Sequence, residues 1–164
     1  MNIAYLILGG NKGDKKNNLQ SAIQLIEERA GMIVRKSDVF VTAAWGNSNQ
    51  PDFFNQVVCI HTLLSATNLL NIVLEIEMHL GRVRQHSEKW MERTMDIDIL
   101  FFNNEIINTP DLKIPHPYIQ ERKFVLIPMN QIAATLIHPT FNKSIEKLLN
   151  ESEDDLEVTL VGNY

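Results

Sequence analysis

The feature that most constrains this chain is the order in which its hydrophobic periodicities alternate. Ile3 to Leu8 is an unbroken apolar run stopped by Gly9-Gly10, which reads as a strand buried on both faces. Leu19, Ala22, Ile23, Ile26 and Ala30 recur at helical spacing, so a helix is expected over 16–30, closed by Gly31. Met32 to Val41 and Phe54 to Thr62 read as two further strands. Ser65 then caps a helix over 66–80, with Leu69, Leu70, Val73, Ile76 and Leu80 on its apolar face and Gly81 ending it. Arg93 to Phe102 alternates again with period two. Strand–helix–strand–strand–helix–strand is the split βαβ pattern. It predicts an α+β fold with a ferredoxin-like, mostly antiparallel sheet and helices packed on one face.

Beyond that core the signals weaken. Asn103-Asn-Glu reads as a hairpin turn returning through 105–108, and two prolines around His116 lock the segment 112–118 in an extended form. Short helices are expected over 128–136 and 144–150, and an edge strand over 156–161. Glu151-Ser-Glu-Asp-Asp155 reads as a solvated acidic run. No repeat, linker or low-complexity tract divides the chain, so 1–164 is expected to be one domain.

The chemistry concentrates in the last strand of the core pattern. Asp96 and Asp98 point to the same face, about 7 Å apart at the rise of an extended chain. Met95, Ile97, Ile99 and Phe101 take the other face. Two carboxylates this close repel, and a divalent cation with its preference for hard oxygen ligands removes the repulsion. Just upstream, Arg82, Arg84, His86, Lys89 and Arg93 crowd around Trp90 with no hydrophobic period. A carboxylate pair for a cation, set beside arginines that bind phosphate oxygens through two hydrogen bonds, makes a polyphosphate site. The unpatterned stretch 42–52, holding Trp45, is long enough to suggest a functional loop.

Charge and cysteine usage narrow the class. A formal net charge of −5 argues against a general nucleic-acid binder. The single cysteine, Cys59, lies in an apolar run and reads as a buried inert thiol. The apolar start, 3–8, is too short to span a membrane and lacks the basic lead of a secretion signal, so a cytoplasmic protein without membrane partners is expected.

These residues carry a family resemblance. Gly9-Gly-Asn11, Gln50-Pro-Asp-Phe-Phe-Asn55, Glu77 through Gly81-Arg-Val-Arg84, Arg93-Thr-Met-Asp-Ile-Asp-Ile-Leu100, Ile114-Pro-His-Pro117 and Arg122-Lys-Phe-Val-Leu-Ile-Pro128 occur in the order found in the 6-hydroxymethyl-7,8-dihydropterin pyrophosphokinases. The chain resembles that folate-pathway family over nearly its whole length. The resemblance implies a Mg²⁺-dependent enzyme that moves pyrophosphate from ATP to a pterin alcohol and releases AMP. Asp96 and Asp98 would hold two Mg²⁺ ions and, with Arg82 and Arg93, form the catalytic group. Arg82, Arg93, His116 and Arg122 would hold phosphates, with Arg84 and Trp90 on a loop that closes over the nucleotide. Glu77 and Ile99 would contact nucleotide and adenine. Phe53 and Phe124 would sandwich the pterin, Asn55 would read its polar edge, and Thr42, Trp45 and Gly46 would complete the pocket. A stand-alone monomer is expected.

The chain departs from the family pattern in places. Gly10 replaces a serine, Phe53 a tyrosine, Ala43-Ala44 a proline-containing turn, Met91 a glycine and Lys89 an arginine. Two rival classes share part of this signal. A nucleotidyltransferase also pairs aspartates on a sheet but would want a Gly-Ser motif upstream, where this chain has arginines. A non-catalytic ferredoxin-like module would have no use for the two acids together with Arg82, Arg93, His116 and Arg122.

Overall fold

A computed structural model describes residues 1–43, 50–82 and 92–161. In chain order the elements are β1 (Asn2–Gly10), α1 (Lys15–Arg29), β2 (Met32–Lys36), β3 (Phe40–Thr42), β4 (Phe53–Thr62), α2 (Ala66–His79) and β5 (Asp96–Phe102). They continue with β6 (Ile107–Asn108), β7 (Lys113–Ile114), α3 (Lys123–Ala133), β8 (Ile137–His138), β9 (Lys143–Ser144), α4 (Ile145–Glu151) and β10 (Val158–Leu160). A 3₁₀ turn, Ile119–Glu121, precedes α3.

The main sheet runs β10-β3-β4-β1-β5, with β2 also on β4, and every pairing is antiparallel. The α+β class and the mostly antiparallel sheet are therefore as the sequence predicts. The helix starts follow the local chemistry. The Asp14 carboxylate accepts from Asn17 N at 3.0 Å, and Ser65 Oγ accepts from Asn68 N at 3.2 Å. Gly81, at φ +84°, ends α2 in the left-handed region where a side chain would be strained.

Three expectations are corrected. The strand read as 32–41 is two strands, because Ser37 breaks the ladder: its hydroxyl accepts from Val57 N at 3.0 Å and its carbonyl from Gln56 Nε2 at 2.7 Å. The helix read as starting at Pro128 begins at Lys123 and carries Pro128 inside it. Helices cover both faces of the sheet rather than one. Ala4, Leu6 and Leu8 of β1 pack with Leu19 and Ile26 of α1 and Leu69 and Val73 of α2. Tyr5 and Ile7 pack with Val125, Leu126 and Met129 of α3 and Ile145 of α4. The central strands are thus apolar on both sides, as the unbroken run 3–8 requires.

Candidate active site

The carboxylate end of β5 meets the glycine end of β1, and the site is built where they join. β1 and β5 pair from Ala4↔Phe102 to Gly9↔Asp96, with a bulge beside Tyr5/Leu6. The bulge turns Phe101 onto the face of Leu100, against the strict alternation expected, and Phe101 packs on Tyr5 and His138. Below the bulge the alternation holds. Ile97 and Ile99 enter the α1–α2 core, while Asp96, Asp98 and Leu100 face the opposite side and line a cleft of about 680 Å³.

Gly10 allows the close approach that this junction needs. A Cβ there would lie 2.4 Å from the Thr94 carbonyl oxygen. Asn11, 2% exposed, then clasps the entry to β5. Its backbone N–H donates to Arg93 O at 3.0 Å, its Oδ1 accepts from Arg93 N at 2.9 Å, and its Nδ2 donates to Pro51 O at 3.2 Å. The sequence placed Asn11 in a glycine-rich turn without assigning it a task. A buried asparagine can bond several backbone groups at once, and that capacity was its only signal.

The two carboxylates are held differently. Arg82 Nη1 donates to Asp96 Oδ1 and Arg93 Nη1 to Asp96 Oδ2. Burial pushes the Asp96 carboxyl up, but the two guanidiniums outweigh it and keep it below the usual carboxylate range. Asp98 is raised to about 7, by burial first and then by the charges of Asp96 and Glu77, against weaker opposition from Arg82 and Arg122. Glu77 is 1% exposed; its Oε1 accepts from Ile97 N and Arg82 Nη1, each at 2.7 Å. It therefore ties α2 to β5 and Arg82.

His116 lies in the cleft with its backbone N–H donating to Leu100 O at 3.0 Å. Its Nδ1 accepts from Tyr118 N at 3.3 Å, which assigns the ring proton to Nε2. Burial, then the nearby Arg122 charge, lowers its pKa to about 4. The ring is a neutral donor at physiological pH. The Arg93 guanidinium lies 6.0 Å from the Phe53 ring centre, and that of Arg122 lies 4.9 Å from Tyr118 and 5.7 Å from Phe124. Asn55, 4% exposed, donates through Nδ2 to Thr42 Oγ1 at 3.0 Å.

The cleft thus unites Thr42, Phe53, Asn55, Arg93, Asp96, Asp98, His116, Arg122 and Phe124 from the sequence expectation. It does not bring Glu77, Arg82 or Ile99 to its wall. Glu77 and Arg82 stand behind Asp96, and the Ile99 side chain is in the core. Trp45, Gly46, Arg84 and Trp90, with Met91 and Lys89, lie outside the described residues. Residues the sequence had not placed also line the cleft, among them Gln50, Tyr118, Glu121, Asp154 and Leu156.

Asp96 and Asp98 fit a hard divalent cation, since both present carboxylate oxygens to the cleft and Asp98 is hard to ionise without a compensating charge. Among the described residues no group of three or more acidic, histidine or cysteine side chains could hold a metal.

The family model of 7,8-dihydro-6-hydroxymethylpterin-pyrophosphokinase matches residues 5–134. The 2-amino-4-hydroxy-6-hydroxymethyldihydropteridine pyrophosphokinase of Bacillus subtilis is 39% identical over 157 residues, covering 95% of this chain and 87% of the relative. The protein of the same name from Aquifex aeolicus is 36% identical, covering 93% of each. Among solved structures, wild-type Plasmodium falciparum HPPK-DHPS with pteroate superposes with a TM-score of 0.75 at 18% identity. It covers 92% of this chain, which spans only 44% of that longer one. At that identity the likeness speaks for the fold.

Proposed function

The chain belongs to the 7,8-dihydro-6-hydroxymethylpterin-pyrophosphokinase family, and from that premise we propose how its residues divide the reaction. The enzyme transfers pyrophosphate from ATP to the hydroxymethyl group of 6-hydroxymethyl-7,8-dihydropterin in folate biosynthesis, releasing AMP. The pterin hydroxymethyl oxygen forms a bond to the β-phosphorus, giving up its proton to solvent, as the bond from that phosphorus to the α-phosphate oxygen breaks and AMP leaves. Such a transfer needs alignment and charge neutralisation more than covalent help from the protein.

Phe53 and Phe124 stack on the pterin ring, while Asn55, steadied by Thr42, reads its polar edge. Trp45 and Gly46 are assigned to the same substrate from the family resemblance alone. Arg93 and Arg122 bind phosphate oxygens, and the Nε2–H of His116 adds a neutral donor. Arg84 and Trp90 are assigned to the nucleotide from the family resemblance alone, while Arg82 acts on it through Asp96 and is kept in place, with β5, by Glu77. Asp96 and Asp98 would hold two Mg²⁺ ions, which would neutralise phosphate charge and make the β-phosphorus more electrophilic. We place this single-domain, monomeric enzyme in the cytoplasm; among the described residues no helix is long and apolar enough to cross a membrane.

The observation that carries this reading is one cleft holding the acid pair, two arginines and His116 together with Phe53, Phe124 and Asn55. The test is AMP release from ATP with and without the reduced pterin. AMP formed only when pterin is present supports the reading. Equal AMP release without it would overturn the assignment of the acceptor.

A further inference from the structure

The segment after α4, read from sequence as a solvated acidic run, is built into the cleft. α3 begins at Lys123 after Arg122, whose side chain can donate hydrogen bonds but cannot accept one, so the helix lacks a cap from its own sequence. Asp154, 31 residues away, supplies it: Oδ2 accepts from Lys123 N at 2.8 Å. Its Oδ1 accepts from Leu156 N at 3.0 Å, which folds the segment back on itself. Asp154 N donates to Ser152 Oγ at 3.3 Å. The carboxylate also faces the positive end of the α3 dipole.

Beyond this clasp the chain enters the main sheet. β10 pairs with β3 as Val158↔Thr42 and Leu160↔Phe40, and Val161 N donates to Val39 O at 2.9 Å. The segment is therefore a strap with two anchors. One anchor fixes the first turn of α3, where Phe124 lies. The other lies along β3, where Thr42 accepts the Asn55 hydrogen bond. Between them Asp154 and Leu156 line the cleft. Both anchors meet groups assigned to the pterin, while Asp96 is held from other elements by Arg82 and Arg93.

The geometry points to the strap 152–161 as a specificity element of the pterin half of the site, with Asp154 as the residue that positions Phe124. Both Asp154 oxygens accept backbone N–H groups, so the carboxylate acts on the site through the helix start. Leu156 contributes apolar wall. The inference rests on the pyrophosphokinase reading given above.

The experiment is steady-state kinetics on the whole enzyme and its variants Asp154→Ala, Asp154→Asn and Leu156→Ala. Wild-type turnover is measured first, because failure there counts against the pyrophosphokinase reading and not against the strap. Loss of a helix cap should raise the pterin KM of Asp154→Ala about five- to ten-fold, clearly more than it raises the ATP KM through the adjacent Arg122, while kcat stays within about three-fold. Asp154→Asn keeps an oxygen able to accept from Lys123 N and should recover most of that loss. A general loss of stability would not follow that pattern. Leu156→Ala leaves the cap intact and should also raise the pterin KM, which keeps the test decisive if Asp154→Ala folds poorly. An unchanged pterin KM in Leu156→Ala, or equal rises in both KM values for Asp154→Ala, would overturn the proposal.

Discussion

At the scale of single residues, the site depends on a carboxylate that the unliganded fold disfavours. The Asp98 pKa is raised to about 7, so the folded state binds its proton more tightly than the unfolded chain does. Asp98 therefore makes folding less favourable as pH rises from the ordinary aspartate value through about 7. Asp98→Asn should raise the melting temperature of the unliganded protein at pH 8, with little gain at pH 4, and should lower kcat at least about 100-fold. Melting curves at the two pH values and the AMP assay check both halves; an unaltered melting temperature at pH 8 would remove the strain assigned to Asp98. His116 has the opposite linkage. Its pKa is lowered to about 4, so its contribution to stability is present above the usual histidine value and is lost as pH falls from there toward 4. Activity should therefore show no loss from His116 titration near neutral pH. The acid pair was legible in the sequence because period two fixes which side chains share a face. The protonation of His116 was not, because it depends first on burial in the cleft and then on the Arg122 charge, and both are set by the fold.

At the scale of elements, β5 works because its entry is clamped from β1. Asn11 joins the first turn after β1 to both backbone groups of Arg93. Removing the side chain strands the Arg93 N–H and frees the segment leading to Asp96. Asn11→Ala should cost about 1–3 kcal/mol in stability, the usual penalty for an unpaired buried donor. It should also lower kcat more than it raises the pterin KM, since Arg93 and Asp96 are the groups we propose for the phosphates. Denaturant unfolding and kinetics test this; a normal kcat would place Asn11 outside the catalytic alignment. The helices α1 and α2 were readable to within about a residue, because their caps and apolar periods are local. α3 was read from Pro128 instead of Lys123 because its cap is Asp154, and no local signal names a partner so far along the chain. The break at Ser37 and the bulge in β5 were missed for a related reason: each is defined by the facing strand.

At the scale of the whole molecule, the two faces of the sheet divide the labour. The α1–α2 face is continuous core, with Leu69, Val73 and Ile76 of α2 fully buried against Leu6 and Leu8. The opposite face is core under α3 and α4 and opens into the cleft toward the Gly9 end of β1. Leu69 sits on the far side of the sheet from the acid pair, so its truncation should damage stability without touching the chemistry. Leu69→Ala should lose about 2–5 kcal/mol, as buried leucines do when a cavity is left behind. Its kcat at low temperature, where the variant remains folded, should match wild type within about two-fold. Saturating ATP with Mg²⁺ should then raise the melting temperature of both proteins, because ligand bound only to the folded state stabilises each by about 2.7 kcal/mol at one hundred times its Kd. Thermal melts of the two proteins with and without ligand measure this directly. A smaller ligand-induced stabilisation in Leu69→Ala, at equal ligand saturation, would mean that the α1–α2 face shapes the site through the sheet and is more than its support.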